Sequence, residues 1–420
     1  MPGPPRWRGD ALPHAVTSKK IQAHVLDERV RAVLKTIKLA SKSGIPGRAS
    51  EDKLDRPEDR ALVRRVAAES IVLLKNERKI LPFDKTKPIA VVGPNAKSAA
   101  FCGGGSAWLK PYYVVTPFEG VSTQSQSTVS YELGAHNFKE LPLLGKLLRT
   151  DDGKPGFMFR AYDKPSGSLD RKLLDERHMK EKETYMNLMD YEVPLIPKDD
   201  VYYVDVEGVF VPEEDGIYDF GLTVEGTGRL FLDEKLVVDN ATKQRPGTTF
   251  FGAATAEERG ERELKAGDEH KLKVEFGSGP TSLLERPAIV SFGPGGLRFG
   301  CCKRTDPEAE IDKAVKLASE VEQVVIFAGL NGEWESEGSD RADMDSPPPI
   351  DQLISRVLAV NPRAVIVLQS GTPVAMPWAD EAGSIVQAWY GGDETGNAIA
   401  DVLYGEVNPV SLLPSPPSKP

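Results

Sequence analysis

Two hydrophobic periodicities divide the chain into parts of different architecture. Apolar residues recur at spacings of three and four in residues 25–40, which predicts an amphipathic helix. Residues 56–76 are predicted to be helical as well, and the apolar run Ile89–Val92 is predicted to be a buried strand. In residues 153–300, short apolar runs alternate with polar residues instead, which indicates a part rich in strands.

This alternating part is predicted to be an all-β sandwich. Turn residues separate its short runs, as they do in antiparallel sheets: Asp215-Gly216, Gly226-Thr227-Gly228 and Ala266-Gly267-Asp268. Strands are predicted at residues 201–211, 216–225, 229–238 and 270–276.

Helix and strand patterns alternate again after about residue 301. Thr305 and Glu308 have the spacing of a capping box and predict the start of a helix. Strands are predicted at residues 324–328, 364–368 and 385–388, and helices at residues 350–359 and 394–403. This alternation implies a parallel or mixed sheet between helices.

The predicted fold class is therefore α/β. One α/β sandwich domain is expected from residues 51–152 and 301–409, interrupted by the β-sandwich of residues 153–300. Residues 1–50 form a separate N-terminal segment, and the Pro/Ser-rich residues 410–420 are predicted to be a disordered tail.

Composition narrows the classes of partner. The chain has 420 residues, of which 40% are hydrophobic, which is ordinary for a protein of two or three soluble domains. Its formal charge of −10 argues against nucleic acid and against an anionic membrane as partners, because both attract excess Lys and Arg. No apolar run approaches the roughly 18 residues that span a bilayer, and residues 1–16 lack the apolar segment of a signal peptide.

Metal and nucleotide sites are not indicated. Cys102, Cys301 and Cys302 are too few for a disulfide framework and, like the five scattered histidines, show no metal-ligand spacing, so no metal and no other cofactor is predicted. The glycines at 103–105 form a flexible loop, but the Lys-Ser/Thr of a phosphate-binding loop does not follow. Asn240 begins an N-glycosylation sequon, which matters if the chain is secreted.

The strongest chemical signal is a group of acids after the predicted strand 324–328. Glu333, Glu335, Glu337 and Asp340 follow that strand within a turn-rich segment. Acids so close together repel one another, so at least one is expected to have a raised pKa if the segment is shielded from water, and a raised pKa suits a general acid. The alternative is a solvated acidic loop.

Several strings resemble family-3 glycoside hydrolases, and β-glucosidases in particular. The string WESEGSDR at residues 334–341 is similar to the loop that carries the proton donor in that family, and the resemblance implies that Glu337 is the acid/base. Residues 216–240, GIYDFGLTVEGTGRLFLDEKLVVDN, resemble PA14 modules, which are inserted in a subset of these enzymes. The other similar strings are AAESIVLLKNERKILPF, IAVVGPNA, GGGSAWLKPYYVVTPFEG and AWYGGDETGNAIADVLYGEVNP.

The resemblance implies a retaining β-glucosidase that releases glucose from the non-reducing ends of β-glucosides such as cellobiose. Retaining hydrolysis needs two carboxyl groups about 5 Å apart, and in this family they belong to different domains. No stretch of the sequence matches the nucleophile motif of the family's (β/α)8 barrel, and residues 1–50 resemble only the end of that barrel. The chain is therefore expected to be inactive by itself. A non-catalytic carbohydrate-binding or interaction remnant is the alternative.

Aromatic residues are candidates for substrate contacts. Trp108 follows the glycine loop, which approaches the cleft in the family, and offers a face for sugar stacking; a core or rim position is the alternative. Phe250 and Phe251 are predicted to stack on the leaving-group sugar, unless one ring packs in the sandwich core, since adjacent strand residues face opposite sides. Asp340 and Arg341 are expected to form an ion pair that holds the acidic segment. Secretion is expected from the family, with a cytoplasmic location as the alternative, and a second copy of the chain is a further candidate partner.

Overall fold

The computed structural model describes residues 9, 11–45, 54–180, 184–189, 191–197, 200–285 and 294–409, so the tail predicted at residues 410–420 lies outside the described residues. The chain divides into two compact units, Met1–Asp55 and Arg56–Pro420. The first contains helices α1 (Ala11–Thr17) and α2 (Ala23–Ala40). Helix α2 confirms the amphipathic helix that the spacing predicts.

The second unit begins with an α/β segment. Its elements are α3 (Pro57–Ser70), β1 (Val72–Asn76), β2 (Ile89–Val92), α4 (Pro117–Gln124) and β3 (Val129–Glu132). The prediction of one helix through residue 76 is wrong, because the helix ends at Ser70 and the next residues form a strand. The run Ile71-Val72-Leu73 has the branched apolar side chains that favour a sheet, and β1 gains hydrogen bonds at the sheet edge.

The middle of the second unit is all-β. Its strands are β4 (Leu148–Arg149), β5 (Phe157–Tyr162), β6 (Leu173–Met179), β7 (Tyr185–Asn187), β8 (Tyr203–Phe210), β9 (Gly216–Glu225), β10 (Thr227–Leu232), β11 (Lys235–Asn240), β12 (Glu258–Leu264), β13 (His270–Gly277) and β14 (Gly296–Lys303). The single strand predicted at residues 229–238 is instead the hairpin β10–β11. Its turn residues, Asp233 and Glu234, both have positive φ. Glycine at these positions would have indicated a turn in the sequence, but Asp and Glu do not.

The α/β pattern then resumes as predicted. The elements are α5 (Pro307–Glu320), β15 (Gln323–Gly329), α6 (Ile350–Val360), β16 (Val365–Gln369), β17 (Ser384–Gln387) and α7 (Thr395–Leu403). The N-cap of α5 is Asp306, whose carboxylate accepts the Glu308 N–H at 3.0 Å, rather than Thr305. A complete capping box occurs at α4, between Thr116 and Glu119.

One mixed sheet joins the two α/β segments. Its strand order is β1-β17-β16-β15-β2-β3, parallel throughout except for the antiparallel edge strand β1. Side chains of α5 and α6 cover one face, and side chains of α4 and α7 cover the other. Strand β15 lies in the interior of this sheet and is buried along its whole length, so the residues that follow it leave the sheet near its middle.

The strands between β4 and β14 form two further sheets. Their orders are β11-β10-β13-β8-β5-β6, with β4 beside β8, and β12-β9-β14-β7. Phe157, Phe220 and Phe299 are fully buried in the core that the two sheets share. Each such ring contributes about 1.5–3 kcal/mol of burial free energy. None of the helices in the part of the chain described above is long and apolar enough to cross a membrane.

Candidate active site

The loop after β15, residues 330–341, is called the acid loop here. It leaves the carboxyl end of a central strand in a parallel region, where α/β sheets place their binding crevices. Gly329 has a φ of +125°, and a Cβ there would lie 2.1 Å from the Gln369 carbonyl oxygen. The Leu330 N–H donates to that same oxygen at 2.7 Å. Glycine at position 329 therefore lets the acid loop cross close over β16.

The acids of this loop have separate partners. Glu335 accepts the N–H groups of Gly371 at 2.8 Å and Thr372 at 2.6 Å, and it also accepts the hydroxyls of Thr372 and Tyr390. Burial, followed by the hydrogen bond to Glu335, raises the pKa of Tyr390. Glu335 therefore joins the acid loop to the loops after β16 and β17.

Glu333 and Trp334 hold the loop on its other side. Glu333 accepts the Lys139 N–H at 2.9 Å and pairs with Arg298 at 2.7 Å. The Trp334 indole N–H donates to the Asn137 carbonyl oxygen at 2.6 Å. These contacts bring the acid loop against the segment that precedes the β-sandwich and against β14 of the sandwich.

Glu337 is exposed, unlike Glu333 and Glu335. Its carboxylate accepts the Ser106 N–H at 3.0 Å. Gly105 has a φ of +72°, and a Cβ there would lie 2.5 Å from the Glu337 Cβ, so the glycine loop packs directly on the acid. Ser106, first through its hydroxyl and then through its N–H, lowers the pKa of Glu337.

A raised pKa is expected of at least one acid if the segment is shielded from water; Glu337 is exposed, and its pKa is lowered instead. Glu333 and Glu335 have separate partners, and Glu337 is exposed to water beside the hydrogen-bond donors of Ser106. The ion pair expected between Asp340 and Arg341 is not found among the residues that the structure describes. Arg341 donates instead to the carbonyl oxygens of Pro373 and Asp345.

Trp108 lies outside the core. Trp108 is 55% exposed, and its backbone N–H donates to the Gly105 carbonyl oxygen at 3.1 Å. It thus belongs to the same glycine loop that contacts Glu337 through Ser106. The core alternative is excluded, and a contact with sugar stays a prediction.

The two phenylalanines lie in residues 246–256, which are called the aromatic loop here. Both have positive φ, 51° and 57°, so they belong to a turn and not to a strand. Phe250 is 3% exposed and packs on Tyr185 with a ring-centroid distance of 4.9 Å. The prediction that Phe250 stacks on sugar is therefore wrong: its ring is enclosed by the sandwich.

Phe251 occupies a different environment. It is half-buried, and its Cα lies 3.6 Å from the position that a Cβ on Gly338 would take. Gly338 follows Glu337 directly, so the structure brings the aromatic loop of the β-sandwich beside the candidate acid/base.

Comparison with known proteins identifies the family of this chain. A model of the glycosyl hydrolase family 3 C-terminal domain matches residues 71–418, which is most of the chain. The chain belongs to glycoside hydrolase family 3.

Relatives of this family-3 chain include curated fungal proteins. It is 59% identical over 414 residues to "Probable beta-glucosidase I" of Neosartorya fischeri and 58% identical to the protein of that name from Aspergillus fumigatus; each alignment covers 99% of this chain and 49% of the relative. A β-glucosidase of Kluyveromyces marxianus, solved in complex with glucose, is 41% identical with a TM-score of 0.85, over 97% of this chain and 49% of that one. The chain spans about half the length of the curated relatives it matches.

The sequon of this family-3 chain is not accessible. Asn240 is fully buried, and its side-chain NH2 donates to the Leu222 carbonyl oxygen at 2.8 Å, to the Thr255 hydroxyl at 2.9 Å and to the Ala256 carbonyl oxygen at 3.2 Å. An N-linked sugar would replace a hydrogen of that NH2 group and would need space beside it. The expected glycosylation at Asn240 is therefore incompatible with this fold.

Sequence reasoning missed the residues that hold the site. Ser106 and Tyr390 carry no signal that separates them from ordinary surface and core positions. Arg298 does, because it is the single charge in the run GLRFGCC, which forms most of a buried strand. A charge in such a strand needs partners, and these partners proved to include Glu333. No group of three or more His, Cys, Asp or Glu suited to a metal ion occurs within the described ranges.

Proposed function

We propose that this chain supplies the acid/base of a retaining β-glucosidase, with Glu337 in that role. The observation that carries the proposal is the presentation of Glu337: it is exposed at the carboxyl end of a central strand, while Glu333 and Glu335 are held by other groups. Relatives that are 58–59% identical over 99% of the chain are described as probable β-glucosidases, which supports the same reaction.

In this mechanism Glu337 acts twice. It first protonates the leaving glycosidic oxygen, and its carboxylate then takes a proton from the water that releases glucose from the enzyme. The donors of Ser106 favour the ionised form, which suits the second step. The first step requires that Glu337 take up a proton, and exclusion of water by the bound substrate would favour this.

The attacking carboxylate is proposed to come from a (β/α)8 barrel of the family-3 type. Glu333 and Glu335 are engaged by backbone N–H groups and by Arg298 or Tyr390, so neither is available to attack an anomeric carbon. We therefore expect a polypeptide of these 420 residues alone to hydrolyse an aryl β-glucoside no faster than its Glu337→Gln variant.

The test joins these residues to the barrel of a relative. We expect the joined enzyme to hydrolyse aryl β-glucosides and Glu337→Gln to lower kcat at least about 100-fold, with partial rescue by azide on substrates with good leaving groups. Asp340→Asn, which changes another exposed acid of the same loop, is the matched control and should retain activity. Turnover by the 420 residues alone, well above Glu337→Gln, would disprove the assignment of the nucleophile.

We also propose that the β-sandwich is a PA14-like insert that borders the leaving-group side of the cleft. Phe251 is the residue that supports this, because it lies beside Gly338 and thus next to Glu337. In the joined enzyme, Phe251→Ala should change the preference between cellobiose and aryl glucosides. Trp108→Ala tests in the same assay whether the glycine loop also contacts the substrate. If neither variant changes the ratio of kcat/KM values, the two aromatic residues do not contact substrate.

Secretion remains a proposal that rests on the family alone. The burial of Asn240 removes the sequon as an argument for it.

A further inference from the structure

The β-sandwich and the acid loop share one buried cation. Arg298, on β14, is 3% exposed. Its guanidinium lies 3.0 Å from Glu140, 3.3 Å from Glu257 and 2.7 Å from Glu333, one nitrogen to each carboxylate. A guanidinium has a planar set of donors, so three carboxylates around it are held in fixed directions.

The contact with Glu333 reaches the acid loop. Glu333 lies four residues before Glu337, and its second carboxylate oxygen accepts the Lys139 N–H at 2.9 Å. Both oxygens of Glu333 are thus engaged, one by Arg298 and one by the backbone. Because Glu337 itself is exposed, the direction from which it approaches the cleft depends on how this earlier part of the loop is held.

The contact with Glu140 reaches the aromatic loop. The other carboxylate oxygen of Glu140 accepts the Thr249 hydroxyl at 2.9 Å and the Thr223 hydroxyl at 3.0 Å. Thr249 directly precedes Phe250 and Phe251. A chain of two polar contacts therefore joins Arg298 to the turn that places Phe251 beside Gly338.

Glu257 completes the cluster. It accepts the Leu141 N–H at 2.9 Å and a hydrogen bond from Arg259 at 2.6 Å. Burial raises the pKa of Glu257, which the two arginines oppose. Removal of the Arg298 charge would leave three carboxylates close together, two of which, Glu140 and Glu257, are largely buried, so they would move toward solvent or another donor.

We propose that Arg298 is a positioning residue that sets the acid loop and the aromatic loop relative to each other. The β-sandwich then has a second role besides bordering the cleft: its buried Arg298 orients the segment that carries Glu337. The inference rests on the proposed function only where it calls Glu337 the acid/base; the coupling of the two loops is a property of the chain itself.

Hydrogen exchange of the 420-residue chain, followed by mass spectrometry, tests the coupling. In Arg298→Met, we expect the backbone amides of residues 331–340 and of residues 246–256 to exchange about tenfold faster or more. The acid loop loses the charge-assisted hydrogen bond of Glu333, and Glu140, which accepts the Thr249 hydroxyl of the aromatic loop, loses its ion pair. Arg298→Lys should restore part of the protection. Unchanged exchange in both loops of Arg298→Met would refute the proposal.

Two variants separate the arms of the cluster and remain informative if Arg298→Met does not fold. Glu333→Gln should speed exchange in the acid loop alone, and Thr249→Val should do so in the aromatic loop alone. If neither variant affects its own loop, the arginine does not position them.

Arg171→Met is the matched control. Arg171 pairs with Asp205 through two short contacts within the β-sandwich, and it touches neither loop. It should leave exchange in both loops unchanged. Equal loosening by Arg171→Met would mean that Arg298 acts only through the general stability of the sandwich, which would overturn the proposal.

An activity readout in the joined enzyme addresses catalysis directly. Arg298→Met should lower kcat/KM for alkyl glucosides, which need protonation of the leaving group, about tenfold more than for dinitrophenyl glucoside, which does not. Equal losses on both substrates would reject a role in placing the acid. If the joined enzyme has no glucosidase activity at all, the proposed function fails while the exchange results still decide the coupling.

Discussion

The two halves of the acid loop are held in opposite ways. In residues 331–335, the acid side chains accept backbone N–H groups, hydroxyls or the Arg298 guanidinium. In residues 337–341, Glu337 and Asp340 are exposed, and Glu337 is held by Ser106. The carboxylates of the first half therefore fix the position of the loop, and those of the second half remain accessible to solvent. Identical residue types within a few positions serve different purposes because their surroundings differ.

Substitution of Gly329, where the chain enters the acid loop, should destabilise the fold the most. In Gly329→Val, the new Cβ would lie 2.1 Å from the Gln369 carbonyl oxygen at a φ of +125°, so we expect unfolding to be easier by more than about 4 kcal/mol. Gly153→Val is the control, since Gly153 also has positive φ but no atom lies within 4 Å of its Cβ position; about 1–2 kcal/mol is expected there. Denaturant unfolding measures both. Equal losses would show that the close crossing over β16 does not matter.

The aromatic loop should show the same division between support and access. Phe250→Ala empties a buried site next to Tyr185 and should cost about 3–5 kcal/mol, whereas Phe251→Ala should cost about 1 kcal/mol. Urea midpoints of the two variants give the comparison. A larger loss for Phe251→Ala would reverse the roles assigned to the two rings.

Within the acid loop, Glu335 and Glu337 should differ clearly in their contribution to stability. Glu335→Ala removes the acceptor for Gly371, Thr372 and Tyr390 and should cost about 2 kcal/mol. Glu337→Ala should leave the free energy of unfolding nearly unchanged, as is usual for exposed sites. Chemical denaturation of the two variants measures the difference in unfolding free energy. Equal values would contradict the different roles of Glu335 and Glu337.

The smallest expected effect concerns pH. Ser106 lowers the pKa of Glu337 in the folded state. The interaction of Ser106 with the Glu337 carboxylate therefore stabilises the fold above the unfolded-state pKa, and this contribution is lost as pH falls through the folded-state pKa. Ser106→Ala should therefore raise the pKa of Glu337 toward its ordinary value of 4.5 and remove part of that dependence. NMR titration of 13C-labelled glutamate measures the shift. In the Glu337→Gln background, Ser106→Ala should have no such effect, and a shift that persists there would belong to another group.

The sequence by itself determined most elements of the second α/β segment and the position of the acid loop. Branched apolar runs and amphipathic spacing predict β15, α6, β16 and α7 to within a few residues, because burial on one or both faces leaves a direct periodic mark. The string at residues 334–341 likewise singles out Glu337 by resemblance. Both the secondary-structure elements and the motif at residues 334–341 depend on neighbouring residues, so the sequence alone indicates them.

Only the tertiary structure decided what each acid and each aromatic ring does. Glu333, Glu335 and Glu337 look alike in the chain, but Arg298 and Tyr390, which engage the first two, are distant in sequence. Phe250 and Phe251 are adjacent and chemically identical, yet a turn with positive φ encloses one ring and sets the other beside Gly338. Burial, hydrogen-bond partners and pKa depend on atoms brought together by packing, and no spacing along the chain encodes those distances.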